Sequence, residues 1–343
     1  MIVTKNLSFK RLISLTGRHF LWLFPAMTVV AALYYFEIIS IKIPWLAVSV
    51  IGAAVAFYVG FKNNQAYDRL WEARKIWGGI VNESRSWGMM VDGFVSDQFN
   101  QTISKEELHK IKRRLIYRHI AWLYAHRAQL LVPTSWEHIT QGGHYGKLAD
   151  KYQRNFGVGL IDDDDERSSL DHFLGPNEAE KVKNAVNTAT QLINEQSRDL
   201  RALRKQELID DFRHMRMVDV LRSFYTLQGK NERIKKFPFP RQYANMSRYF
   251  IGIFIILLPF SAIPEMLSLG TLGLFLSILI TVLISWVDIV MELIGDYSEN
   301  PFSSMINDIP MLSLCRTIEI DLREILGEKD LPPAIKANRG VLM

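Results

Sequence analysis

Two blocks of apolar residues, one before Lys62 and one after Arg248, bracket a long polar stretch, and no other feature constrains the fold so tightly. About 20 apolar residues in a helix cross the hydrocarbon core of a bilayer, and each block holds two runs near that length. The runs span His19 to Ile39, Pro44 to Phe61, Tyr249 to Pro264 and Met266 to Val287. The third is short and contains Pro259; inside a bundle, neighbouring groups satisfy the carbonyl that a proline frees. Composition alone decides nothing here, because 48% hydrophobic and 22% charged residues would also suit a soluble domain. The clustering carries the argument.

Charge orients the spans. The links between the first and second runs and between the third and fourth are short, with only Glu37, Lys42 and Glu265 charged. Most Lys and Arg fall in the N-terminal segment, the middle and the tail. The positive-inside rule therefore places both termini and the middle on the cytoplasmic side of a bacterial inner (plasma) membrane. The expected divisions are a segment 1–18, two spans in 19–61, a cytoplasmic helical region 62–248, two spans in 249–287 and a tail 288–343. Lys5, Lys10, Arg11 and Arg18 ahead of an apolar run resemble a signal peptide, but no small-x-small cleavage pattern precedes the next run, so this is read as an uncleaved span.

The middle reads as helical. Leu108, Ile111, Leu115, Ile116 and Leu123 follow a period near 3.6 within 104–131, and Ser104 with Glu107 forms a capping-box pattern. A second long helix is expected from about Glu178 to Gln228, opened by Pro176-Asn177 and stopped by Gly229. Residues 133–175 read as a loop-rich excursion. No strand and no solenoid repeat is expected.

Catalytic patterns are missing. There is no Walker loop, dinucleotide fingerprint, HExxH or CxxC, and the eight histidines are scattered. The run Asp162-Asp163-Asp164-Asp165-Glu166 lacks the ligand alternation and central glycine of a calcium loop and reads as a solvated acidic segment. Cys315 is the sole cysteine, so no intrachain disulfide can form, and it reads as a small buried thiol. No enzyme activity, cofactor, metal site or nucleic-acid partner is expected.

The second run and its continuation are the most informative stretch. Gly52, Ala56 and Gly60 recur every four residues and allow close helix packing. Ala53, Phe57 and Phe61 recur on an adjacent face. They read either as packing or lipid-facing residues or, if several copies surround an axis, as stacked apolar rings of a pore wall that gates by dewetting. Aromatic edges carry partial positive charge and favour a passing anion over a cation. Beyond Phe61 the sequence turns polar without a Pro or Gly before Gly78, so one helix should leave the membrane. Asp68 and Glu72 are placed to pair with Arg or Lys one turn away.

Here the chain resembles the bestrophin family. GFKNNQAYDRLWEARKIWG, residues 60–78, is similar to the bacterial pattern after the second span, with Asp68-Arg69-Leu70-Trp71 where animal members carry Arg-Trp-Trp. QGKNERIKKFPFPRQY, 228–243, is similar to the family's segment before the third span, and ENPFSSMINDIPMLSLCRTIEIDLREILGE, from Glu299, resembles its Asn-Pro-Phe signature and bacterial tail. The resemblance implies an all-α membrane protein with four transmembrane helices per subunit, a cytoplasmic helical bundle, and a homopentamer around one central pore. The partners implied are copies of itself, the lipid bilayer and permeant monovalent ions.

The same resemblance assigns a pore neck to Ala53, Phe57 and Phe61, counted back from Arg69, and a cytoplasmic aperture near Leu221. Bacterial relatives often carry an aliphatic residue where Phe57 stands, which leaves the ion preference open. Animal members bind calcium with an acidic run after Asn-Pro-Phe; here only Asp308 is acidic between Ser303 and Asp308, so no calcium gating is expected. The leading function is passive, anion-favouring conduction. The alternatives are a sodium-selective homologue, a secondary transporter using helices broken at Pro25 and Pro259, and a membrane-anchored scaffold.

Overall fold

The computed structural model describes residues 1–6, 9–156, 170–303 and 305–343, and among these the chain is helical throughout, with only isolated bridges in place of strands. The acidic run at 162–166 lies outside the described residues. The helices are α1 (Phe9–Thr16), α2 (Phe20–Tyr35), α3 (Trp45–Phe94), α4 (Lys105–Leu131), α5 (His138–Gln141), α6 (Gly143–Phe156), α7 (Pro176–Lys183), α8 (Thr188–Lys205), α9 (Asp211–Lys236), α10 (Arg241–Leu267), α11 (Gly270–Ser298) and α12 (Met311–Ile325). They divide between two compact units. One comprises Thr4–Arg69 and Pro238–Glu299, the other Met1–Val3, Leu70–Phe237 and Asn300–Met343. Helix α3 contributes its first half to the former and its second half to the latter.

The first unit turns large apolar side chains outward. Leu21, Leu46, Phe57, Ile256, Leu272 and Phe275 are all exposed, an arrangement that water does not tolerate over so broad a surface and that lipid or other chains can cover. Three helical stretches are long and apolar enough to cross a bilayer: Trp45–Phe94, Gly270–Ser298, and Asp211–Leu267, whose apolar part is α10. Helix α2 is apolar but only 16 residues long, and it continues directly from α1 through a 3-10 turn. Helix α10 passes through Pro259 and Pro264 without ending.

The second unit is organised around α4, whose residues from Leu115 to Arg127 are all buried. A 3.6-residue stripe marks only one face, whereas this half-helix is enclosed by α8, α9 and α12. Enclosure is possible because its polar groups are paired. Arg118 bonds Glu178, Asp199 (2.6 Å) and Gln196 (2.9 Å); Trp122 donates to Gln228 Oε1; Tyr124 donates to Glu319 Oε2. The Ser104 hydroxyl accepts from Glu107 N–H and starts α4 as the capping pattern predicts. Cys315 is fully buried.

The single helix expected over Glu178 to Gln228 is three. Asn187 and Asp210 each accept from the backbone N–H three residues on, so each starts a new helix where the apolar periodicity shows no break. Gly229 does not stop α9; it sits on the exposed side of a helix that runs on to Lys236, at a propensity cost of about 1 kcal/mol.

His119 and His126 lie in the middle of this core, stacked with Trp122 at ring separations of 5.2 and 5.7 Å. Both are fully buried, and desolvation lowers them to about 3 and about 4. Their ordinary value is about 6.5, so the unfolded chain binds protons below that pH while the folded chain does not. Stability from each histidine is complete above about pH 6.5 and falls as the pH drops, by about 2 kcal/mol at pH 5. In thermal unfolding of the detergent-purified protein, the His119→Gln variant, whose amide can still bond Ser84 Oγ, should lose about 2 kcal/mol less stability than the wild type between pH 7 and pH 5; an equal loss would refute the assignment.

Candidate pore-lining face and its charged brace

Helix α3 presents two faces in strict alternation. Val48, Val55, Val59, Lys62 and Ala66 are buried, spaced at three, four or seven residues, which keeps them on one side. The opposite side carries Leu46, Val50, Ala53, Phe57 and Phe61, all open in the single chain, with Phe57 79% and Phe61 54% exposed. Asn64 and Asp68 continue the open side as the helix turns polar. The three residues expected at a neck therefore share one open stripe.

The buried side is pinned by two close approaches. A Cβ at Gly52 would stand 2.8 Å from the ring of Phe254 on α10, and a Cβ at Gly295 of α11 would stand 2.0 Å from Asn63 Oδ1. Neither neighbour could come so near a larger residue. Asn63 Nδ2 also donates to Met291 O at 3.0 Å. Gly60 has no atom within 4 Å of its would-be Cβ, and Ala56 is exposed, so of the small-residue face only Gly52 meets a neighbour within one chain.

Next to the apolar stripe in the chain, from Lys62 on, lies a charge network that the sequence reading did not assemble. Lys62 is 2% exposed and spends its three protons on Ala244 O (3.1 Å), Ser247 Oγ (3.5 Å) and Glu292 Oε1 (2.5 Å). Asp296, one turn beyond Glu292 on α11, lies 3.9 Å from Lys62 and bonds Arg248 at 2.7 Å. Glu299 accepts from Arg241 at 3.2 Å, and its backbone carbonyl accepts from Arg69 Nε at 2.9 Å. The side chains of Lys62, Glu292, Asp296 and Glu299 are all under a tenth exposed. The sequence signal was present: two carboxylates one turn apart just past the fourth apolar run, and a lysine as the first charge after the second.

The network joins the three family-like motifs. Arg69 belongs to the Asp68-Arg69 motif, Arg241 to the Pro240-Arg241 motif, and Glu299 opens the Asn-Pro-Phe motif, and all three meet at Glu299. After it, Phe302 is 1% exposed, and Asp308 accepts from the N–H groups of Ser303 (2.7 Å) and Met305 (3.0 Å), holding its own loop closed. Burial raises that carboxyl to about 7. Glu72 pairs with Lys75 at 2.6 Å, as expected from their spacing.

Leu221 lies on α9 and is 3% exposed, packed in the core of its unit, while Asp219 and Arg222 occupy the open side of the same helix. Among the described residues, no group of three or more His, Cys, Asp or Glu is disposed to hold a metal ion.

A family model described as Bacterial/Fungal Bestrophin protein matches residues 11–324. The voltage-dependent anion channel-forming protein YneE of Escherichia coli is 24% identical over 314 residues, 92% of this chain and 87% of that protein. A voltage-dependent anion channel-forming protein of Mesorhizobium japonicum is 27% identical over 278 residues, 81% of this chain and 74% of that one. The crystal structure of a bacterial bestrophin homolog from Klebsiella pneumoniae shares the fold, with a TM-score of 0.72 at 18% identity, covering 91% of this chain and 98% of that chain.

Removing one partner of a buried ion pair strands the other charge away from water, which typically costs about 3–5 kcal/mol. Lys62→Met should lose stability on that scale in thermal unfolding of the purified protein. The double variant Lys62→Met, Glu292→Leu should recover most of the loss, since Arg248 still holds Asp296. A double variant as unstable as the single one would show that packing rather than charge sets the effect.

Proposed function

The chain belongs to the bacterial and fungal bestrophin family, and on that premise we propose that it is the pore-forming subunit of a homopentameric ion channel that passes small monovalent anions, chloride foremost, through an apolar neck. Each subunit crosses the bacterial inner membrane four times with both termini in the cytoplasm; α2 with its flanking turns, the first half of α3, α10 and α11 are the spans. The neck is the stripe of Ala53, Phe57 and Phe61.

The observation that carries this reading is that open stripe. It runs unbroken from Leu46 to Phe61 and continues into Asn64 and Asp68 on the same face. Past the span the same face turns polar at Asn64 and Asp68, as a wider vestibule below an apolar constriction would require. Ala56 and Gly60, small and uncovered in one chain, are suited to a neighbouring copy's helix. The relatives' names, voltage-dependent anion channel-forming protein, agree with the anion preference, as do phenylalanine edges, which present positive potential to a passing ion. The cytoplasmic aperture is proposed for the part of α9 around Leu221, whose open side carries Met215, Asp219 and Arg222.

Single-channel recording of the purified protein in a planar bilayer under a sodium chloride gradient tests the reading. Reversal near the chloride equilibrium potential is expected; reversal near the sodium potential would make it a cation channel, and no unitary current would favour a transporter or scaffold. Phe57→Ala should raise the flux several-fold by widening and wetting the neck. A lipid-facing Phe57 would leave the flux unchanged.

A further inference from the structure

Within the second unit, a surface hollow of about 320 Å³ lies between the first half of α4 and the turn that leads into α7. From α4 it is lined by Lys110, Arg113, Arg114 and Tyr117, and from the turn by His172 and Phe173, and no carboxylate is part of the lining. The rings of Tyr117 and Phe173 meet edge to face at 5.7 Å, and His172 stands edge-on to Phe173 at 5.1 Å. The hollow thus joins an apolar aromatic surface to a row of nitrogen donors.

Both arginines are held in place from behind. Arg113 gives its Nε–H to Glu328 at 3.4 Å and lies 4.3 Å from the centre of the Tyr117 ring, and Arg114 gives its Nε–H to Asp199 at 2.9 Å. Neither carboxylate depends on them alone. Glu328 is bonded by Arg323 at 2.6 Å and Tyr117 at 2.8 Å, and Asp199 by Arg118 at 2.6 Å. A guanidinium is a fork of several N–H donors, and most are left over for a ligand. Lys110 is exposed and, among the described residues, makes no ion pair within 4 Å. Glu106, exposed one turn before Lys110, offsets part of its charge, so the case rests on oriented donors and not on a net excess of charge.

We propose that this hollow binds a small soluble phosphate monoester. Pairs of phosphate oxygens match the planar fork of arginine, and Lys110 and the imidazole of His172 supply further donors. The carbon part of the ligand packs against Tyr117 and Phe173. The volume is at the small end of the range of ligand sites, roughly 300–1,000 Å³, which restricts the occupant to a short molecule. The site lies within one compact unit and stands independently of the channel reading.

Isothermal titration calorimetry of the full-length, detergent-purified protein with glycerol 3-phosphate tests this. Saturable binding of one equivalent per chain is expected. The double variant Arg113→Gln, Arg114→Gln should weaken it about tenfold or more, the effect of losing charged hydrogen bonds. Arg114→Lys keeps the charge and a partner for Asp199 but lacks the fork, so it should still weaken binding several-fold and remains informative if the double variant unfolds. Lys181→Gln removes an exposed cation of α7 outside the lining and should change nothing. Succinate, a dianion of similar size without tetrahedral oxygens, should bind much more weakly. No saturable heat, or equal affinity in the wild type and both arginine variants, would overturn the proposal. So would equal affinity for succinate, because any dianion would then do. A signal seen only with vesicles containing phosphatidic acid would overturn it as well, since the occupant would then be a lipid headgroup.

Discussion

Lys62 is a lysine with almost no access to water, and the packing around α3 follows from the need to satisfy it. An ammonium in so dry a place requires carboxylates and carbonyls around it, and the chain supplies them from two other helices: Glu292 from α11, with Ser247 Oγ and Ala244 O from α10. Those partners fix the rotation of α3 about its axis. Once Lys62 points inward, the 3.6-residue period sends Ala53, Phe57 and Phe61 outward on the far side. The close contacts at Gly52 and Gly295 fix the separation in the same way, since each admits no side chain. The orientation of the apolar stripe is thus a consequence of a buried charge one residue past its end.

Helix α3 runs for 50 residues, its first half in one compact unit and its second half in the other. No Pro interrupts it, and no Gly falls between Phe61 and Trp77, so nothing in the sequence invites a kink there. Just past the apolar stripe, Arg69 Nε donates to the carbonyl of Glu299, immediately before the Asn300-Pro301-Phe302 turn. The three motifs that carry the family resemblance therefore meet in one polar cluster around Glu299. Asp308 fits the same account, because its carboxylate is consumed by backbone N–H groups of its own loop.

Much of this could be read from sequence, for a physical reason: membrane spans and helix periods are long-range statistics of single side chains. The apolar stripe of α3, the Ser104 cap and the Glu72–Lys75 pair are local patterns of that kind, each legible within two turns. What was not legible depends on partners distant in the chain. Lys62 closes an apolar run in the sequence and is the hub of a network in the fold, since its carboxylates lie some 230 residues away. The enclosure of α4 was hidden because Arg118, His119 and His126 look like a solvated face until Glu178, Ser84 and Asn231 are brought to them. The break of one expected helix into three turned on Asn187 and Asp210, capping residues inside a stretch whose periodicity suggested continuity. Leu221 was counted across that same stretch, and its side chain lies inward of the open face.

In the proposed channel the apolar stripe would offer an ion no ligand, so any discrimination there would come from the weak field of ring edges. A charge 10 Å away changes an ion's energy by only about 0.4 kcal/mol in water, and by less at physiological ionic strength. The exposed charges of one subunit would therefore bias entry only slightly. Selectivity from charge would belong to an assembly rather than to the subunit, and it would weaken as salt rises, whereas exclusion by a narrow apolar ring would not.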